Sequence, residues 1–225
     1  MQKDYFQNTL YPLQDKVLSV ISGLPVDFYL TGGTVLSRVY LHHRYSDDLD
    51  FFVNDSKEFK IQMNHILEGF KNAALNFSVI TLDEGFARLQ VNEGIATLKL
   101  DFVNDVTFRC GSLVSTDLFL RTDNIENILS NKISALGRSA AKDLIDIIYI
   151  CGIHAFYWEK IMADAQQKDI WANEVELARM MEQFPISKID EISWIGSPPA
   201  SAWISERLAI IIGDIITGKT NSLKE

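Results

Sequence analysis

The chain has 225 residues, 47% of them hydrophobic and 11% aromatic, which suits one large domain or two small ones and excludes a disordered polymer. Its formal charge of −9 at pH 7 weighs against a broad nucleic-acid-binding face, which is normally basic, leaves room for a local basic pocket, and fits acidic clusters that hold metal ions. The opening MQKDYFQNTLYPLQD has no apolar stretch to serve as a signal peptide, and Cys110 and Cys151 have no metal or redox spacing, so a reducing cytoplasm is the expected location.

Apolar spacing predicts a helix over 11–22 and a strand over 27–30 that runs into Thr31-Gly32-Gly33. Helical pattern returns over 34–41, and Leu49 to Val53 reads as a short strand that is apolar apart from Asp50. A helix is predicted over 56–75, with Phe59, Met63, Ile66, Leu67 and Phe70 at helical spacing. Strands follow over 77–82, 86–91 and 96–103; in the last, Leu98, Leu100 and Phe102 alternate with Lys99 and Asp101. After about residue 117 strand signals fade, and helices are predicted over 125–136, 141–153, 158–183 and 202–217, with breaks at Pro185 and SPPAS. The apolar runs LIDIIYICGIHAFYW and LAIIIGDIITG are interrupted by Asp146, His154 and Asp214, so neither reads as a membrane span. The layout is an α/β first half and an all-helical second half, joined near residues 111–120.

Chemistry concentrates in TGGTVLSRVYLHHRYSDDLDFFV, residues 31–53. Asp48 and Asp50 flank Leu49, and side chains two apart on a strand point the same way. Two carboxylates held this close repel unless a cation sits between them, and Mg²⁺ suits such a site because it takes one or two carboxylates and completes its shell with water and phosphate oxygens. Asp101 is the candidate third carboxylate, enough to bridge two metal ions that clamp the oxygens of a phosphoryl transfer. A strand ending in Gly32-Gly33 and opening a helix presents backbone N–H groups to an anion, with Thr34 as a further hydroxyl donor. Alone, a Gly-Gly pair is a turn and D-x-D a loop or cap; in this order they describe a nucleoside triphosphate site. His42 and His43, adjacent and therefore divergent on a helix, read as surface or helix-end residues. Arg44, just before the acidic pair, can meet a carboxylate or a phosphate.

GGT-x-L-x-R followed by RYSDDLDFF is similar to the start of the nucleotidyltransferase (DNA polymerase β-like) superfamily, and within it resembles the AbiEii/AbiGii family of toxins from abortive-infection and toxin–antitoxin systems. A second block, NKISALGRSAAKDLIDIIY at residues 131–149, resembles that family's K-x-x-A-L and R-D-x-x-D-L motifs. The resemblance spans about residues 28–150. It implies an α+β fold, with a nucleotidyltransferase-type mixed sheet and flanking helices over 1–116 and a helical bundle over 117–225 that contributes to the active site. It implies catalytic roles for Asp48, Asp50, Asp101, Lys132 and Asp146, the first three as metal ligands. Nucleotide contacts are implied for Gly32, Gly33, Thr34, Arg44, Lys99, Arg138 and Asp143, with Lys132 meeting phosphates. Lys142 departs from the family pattern, standing where arginine is usual; it keeps the charge and loses the bidentate fork. The implied cofactor is Mg²⁺ or Mn²⁺, the substrate an NTP, the acceptor a tRNA 3′ end and the partner an antitoxin protein, with no membrane. Two other readings use the same residues: transfer to a small-molecule hydroxyl of the antibiotic type, and a non-catalytic nucleotide-binding partner protein. Intact carboxylates and Lys132 weigh against the last.

Overall fold

Residues 96–105 alternate apolar and polar side chains, and this stretch becomes the middle strand of the sheet. In the computed structural model, which describes residues 2–138 and 140–224, β5 (Ala96–Asp105) buries Leu98, Leu100 and Phe102 completely. Among the described residues, five strands form one sheet in the order β1-β2-β5-β4-β3, with β1 at Tyr29–Thr31, β2 at Leu49–Asn54, β3 at Phe77–Leu82 and β4 at Phe86–Glu93. β2 and β5 are parallel and the other neighbours antiparallel. A parallel pair needs a crossover; here α4 (Phe59–Asn72) and the β3–β4 pair lie between β2 and β5 in the chain.

Contacts divide the chain into two compact units that interleave in sequence. The first holds residues up to Tyr40, Tyr45–Thr107 and Ser112–Asp123; the second holds Leu41–Arg44, Phe108–Gly111 and the chain from Asn124 onward. In the first unit Phe102 lies 5.1 Å from Phe28 and, stacked, 5.1 Å from Phe51, ring centre to ring centre. α4 turns Phe59, Met63, Ile66 and Phe70 inward, a stripe at helical spacing. α1 (Gln2–Tyr5) leads through a π-helical stretch, Phe6–Leu10, into α2 (Tyr11–Ser22), which buries Leu13, Val17, Leu18 and Ile21. The outer edge of β1 is covered by the chain at 121–123: Leu30 donates its N–H to the Arg121 carbonyl, and Asp123 donates back to the Leu30 carbonyl, each at 2.9 Å.

The second unit is helical: α5 (Ile125–Ala135), a 3₁₀ turn at Leu136–Arg138, α6 (Ala141–Ile153), α7 (Trp158–Lys168), α8 (Glu174–Glu182) and α9 (Ser201–Thr217). Asn124 caps α5 by accepting the Asn127 N–H at 2.9 Å. The single helix expected over 158–183 is two. α7 ends at Lys168, and Asn173 caps α8 by accepting the Glu176 N–H at 3.0 Å. An asparagine three residues before a glutamate is the start signal that the uninterrupted apolar pattern masked. No helix of the described residues is long and apolar enough to cross a membrane. The α+β architecture is the one the sequence patterns predict.

The stacked phenylalanines carry the packing of the first unit. Phe102→Ala should lower the unfolding free energy by about 3–5 kcal/mol, the usual result of removing a fully buried aromatic side chain. Denaturant titration checks it, and a loss under about 1 kcal/mol would show that the sheet packs elsewhere.

Candidate active site

At the end of β1 the chain must turn in a space that β2 has nearly filled. Thr31 is extended, Gly32 takes φ +73°, and α3 (Gly32–Val35) begins at once, continuing as a π-helical stretch at Leu36–Tyr40. β1 pairs with β2 so that Thr31 faces Asp50. A Cβ on Gly32 would lie 2.4 Å from Asp50 Oδ2, so glycine is required both for the backbone angle and for the approach of the carboxylate. Thr34 is completely buried and its hydroxyl donates to the Asp48 carbonyl. That bond ties the glycine turn to the residue before β2.

The parallel register sets Asp50 directly beside Asp101. Asp48 precedes β2, and Lys99 reaches its Oδ2 at 2.7 Å while standing 3.8 Å from Asp101 Oδ2. Burial alone would lower the Lys99 pKa; the hydrogen bond it donates to Asp48 and the negative charges of Asp48, Asp101 and Asp50 outweigh it and raise the value. The ammonium therefore stays charged. Asp101, expected on an open face, is only 9% exposed, because Arg88 of β4 lies across it. The guanidinium donates from Nε to Oδ1 at 2.7 Å and from Nη2 to Oδ2 at 2.8 Å.

Arg88 was absent from the sequence reading. Its signal was the hairpin: with Gly94 and Ile95 as the turn, pairing runs back from Glu93↔Ala96 to Arg88↔Asp101. The three carboxylates offer only oxygen donors, the chemistry that a hard divalent cation takes. Among the described residues no group of three or more His, Cys, Asp or Glu closes around a metal position; Lys99 and Arg88 supply the positive charge at those carboxylates. Donor type and charge fit Mg²⁺ or Mn²⁺.

The second unit builds a separate ion cluster around Asp146, which is fully buried on α6. The interrupted run that carries it buries Leu144, Ile145, Ile147, Ile148 and Cys151 on nearly every side, so Asp143 and Asp146 share a buried face. Asp146 Oδ1 accepts from Arg44 Nε at 2.7 Å and from His43 Nε2 at 2.8 Å. Its Oδ2 accepts from Arg44 Nη2 at 2.7 Å and from Lys132 Nζ at 2.8 Å. Lys132 Nζ also donates to Asp143 Oδ1 at 2.6 Å, and the lysine is 8% exposed. Burial alone would raise the Asp146 pKa, but the charges of Arg44 and Lys132, with the His43 and Arg44 hydrogen bonds, hold it well below the ordinary carboxylate range.

His43 corrects the expectation of a surface or helix-end residue. His42 adopts φ 52° and stays exposed, while His43 turns inward to 5% exposure with its ring 4.6 Å from Tyr149. Burial lowers its pKa against the pull of Asp146. The neutral ring facing a carboxylate must donate from Nε2; Nδ1 has no hydrogen-bond partner among the described residues. Arg44 meets a carboxylate in this structure. Arg138, at the end of the 3₁₀ turn, and Lys142 are exposed.

The fold is that of the nucleotidyltransferases. JHP933 from Helicobacter pylori has a similar structure (TM-score 0.65, 18% identity, 93% of this chain and 91% of that chain), and so does a candidate nucleotidyltransferase from H. pylori (0.64, 19%, 93% and 94%). At these identities the likeness is one of fold. No curated protein sequence matches the chain. The family model described as "Nucleotidyl transferase AbiEii toxin, Type IV TA system" matches residues 17–195, and the chain belongs to that family.

Gly32→Ala should lower stability by about 1–2 kcal/mol through backbone strain alone and push the Asp50 carboxylate aside. Gly152→Ala, on α6 with open space around the added carbon, should be neutral or stabilising by about 0.5–1 kcal/mol. Denaturant midpoints compare them, and equal effects would remove the special status of Gly32.

The lowered pKa of His43 makes a prediction of sign. Its stabilising contribution is full above the unfolded value near 6.5 and is lost as pH falls through the lower folded value. Unfolding free energy should therefore decline on acidification below about pH 6.5. His43→Gln, which keeps a donor toward Asp146 and cannot titrate, should flatten that decline; an unchanged pH profile would place its origin in other groups.

Proposed function

We propose that this protein transfers a nucleoside monophosphate from an NTP to a tRNA 3′ hydroxyl, with Mg²⁺ or Mn²⁺ required, and that it acts as the toxin of a toxin–antitoxin pair. The observation that carries the reading is the register of Asp50 beside Asp101 on parallel strands, with Asp48 one residue before β2 and Lys99 reaching it at 2.7 Å. Membership of a toxin family described as nucleotidyltransferases supports the reaction class and implies an antitoxin.

In the reaction, the acceptor oxygen bonds to the α-phosphorus as the bond to the β-phosphate oxygen breaks; pyrophosphate leaves and the hydroxyl proton passes to solvent. Asp48, Asp50 and Asp101 would hold the divalent cation, which when bound offsets the charge of the triphosphate and of the developing transition state. Gly32 and Gly33 lack side chains where a phosphate would approach the backbone. Thr34 holds Asp48 in place through its carbonyl. Lys99, kept protonated by its carboxylate neighbours, serves as the cation that can meet a phosphate oxygen. Asp143 and Asp146 set the position of the Lys132 ammonium through their 2.6 and 2.8 Å ion pairs. An acidic chain with so few basic contacts to offer should bind RNA weakly and with strong dependence on salt.

The test is incubation with each labelled NTP, Mg²⁺ and total tRNA, resolved on a denaturing gel. Lengthened, labelled tRNA is expected; Asp48→Asn, Asp50→Asn or EDTA should abolish it. Expression of the chain alone should arrest bacterial growth through the same aspartates. Transfer at the wild-type rate by either variant would end the assignment. Unchanged tRNA together with harmless expression would point to a small-molecule hydroxyl as acceptor.

A further inference from the structure

Arg88 is the charged residue at the carboxylates that no sequence motif marks. Its fork takes both oxygens of Asp101, fixing the direction of the carboxylate as well as balancing its charge. The Arg88 side chain is 40% exposed and that of Asp101 13%, so the arginine forms the solvent side of the pair. Lys99 meets Asp48 through a single contact, Nζ to Oδ2 at 2.7 Å. Arg88 and Lys99 set two positive charges against the carboxylates of Asp101 and Asp48. A divalent cation that takes an Asp101 oxygen must share that oxygen with the Arg88 fork or displace one of its arms, and in either case approach a guanidinium.

We propose that Arg88 is a positioning residue for Asp101 that competes with the divalent cation for this carboxylate. The inference rests on the metal-dependent reading given above. Without the cation, Arg88 keeps Asp101 oriented and screens it from Asp50, its neighbour in the β2–β5 register. With the cation, the N–H···O contact to the shared oxygen weakens or gives way, because the cation and the guanidinium repel. Removing Arg88 takes both fork contacts off Asp101 and makes the cluster more negative by one charge, and both changes strengthen attraction for a dication. The opposing effect, a freer Asp101 side chain, is limited because its Cα is fixed by pairing on both sides of β5. Cation affinity should therefore rise when Arg88 is removed, whereas an arginine that served the fold alone would leave it unchanged or weaker.

The experiment uses the full chain without nucleotide and titrates Mn²⁺ by calorimetry, with the free ion followed by electron paramagnetic resonance. Arg88→Met should bind Mn²⁺ about tenfold more tightly than wild type, the effect of one charge-assisted contact that no longer competes with the ion. It should melt at a lower temperature than wild type in EDTA and recover most of the difference on adding Mn²⁺. Asp50→Asn should lose the site in either background, which identifies the measured ion as the one at the cluster. If Arg88→Met does not fold, Arg88→Lys decides: it keeps the charge, gives up the fork, and must bind Mn²⁺ at least about threefold more tightly. Wild-type binding with equal or weaker affinity in the folded variant overturns the role of Arg88 and leaves the metal-dependent reading standing. Absence of Mn²⁺ binding in wild type overturns both.

Discussion

Two carboxylates side by side on neighbouring strands are the constraint from which the first unit follows. Parallel pairing of β2 and β5 sets Asp50 beside Asp101, and like charges at that separation must be met by positive charge. Lys99 and Arg88 supply it from β5 and β4. Gly32 must be glycine because Asp50 lies against it, and Thr34 must carry a hydroxyl to hold the carbonyl of Asp48. The apolar side of the same strands, with Phe51 stacked on Phe102, anchors the register. A slip by one residue would send the phenylalanines outward and the aspartates into the core, so packing and charge select the same pairing.

The second unit solves a different problem. Asp146 is buried without exposure, and a buried carboxylate is costly unless every lone pair is used. Arg44, His43 and Lys132 converge on it, and the segment at 41–44 belongs to the helical unit because two of those donors are on it. Such a network adds little net stability compared with apolar packing. Its value lies in fixing the position of the Lys132 ammonium between Asp143 and Asp146, which a flexible lysine on a surface helix would not have.

The two clusters differ in exposure in a way that bears on chemistry. Asp48, Asp50 and Lys99 are part-exposed, whereas Asp146 and Lys132 are buried and held in ion pairs with Arg44, His43 and Asp143.

Much of this was legible in the chain alone, because periodicity and glycine chemistry act locally. The α+β division, α2, β3 and α6 to the residue, and the strand–turn–helix that carries Gly32 follow from spacing and backbone preference. The proximity of Asp48 to Asp50 is likewise a property of two residues on one extended segment. Tertiary structure decided what lies across from them. Arg88 meets Asp101 only once hairpin register is set, and His43 turns inward because His42 takes a left-handed conformation before it. The break between α7 and α8 was decided by a cap that apolar periodicity does not register. Sequence spacing determines which side chains share a face of one element; which charge stands opposite is determined by pairing between elements distant in the chain.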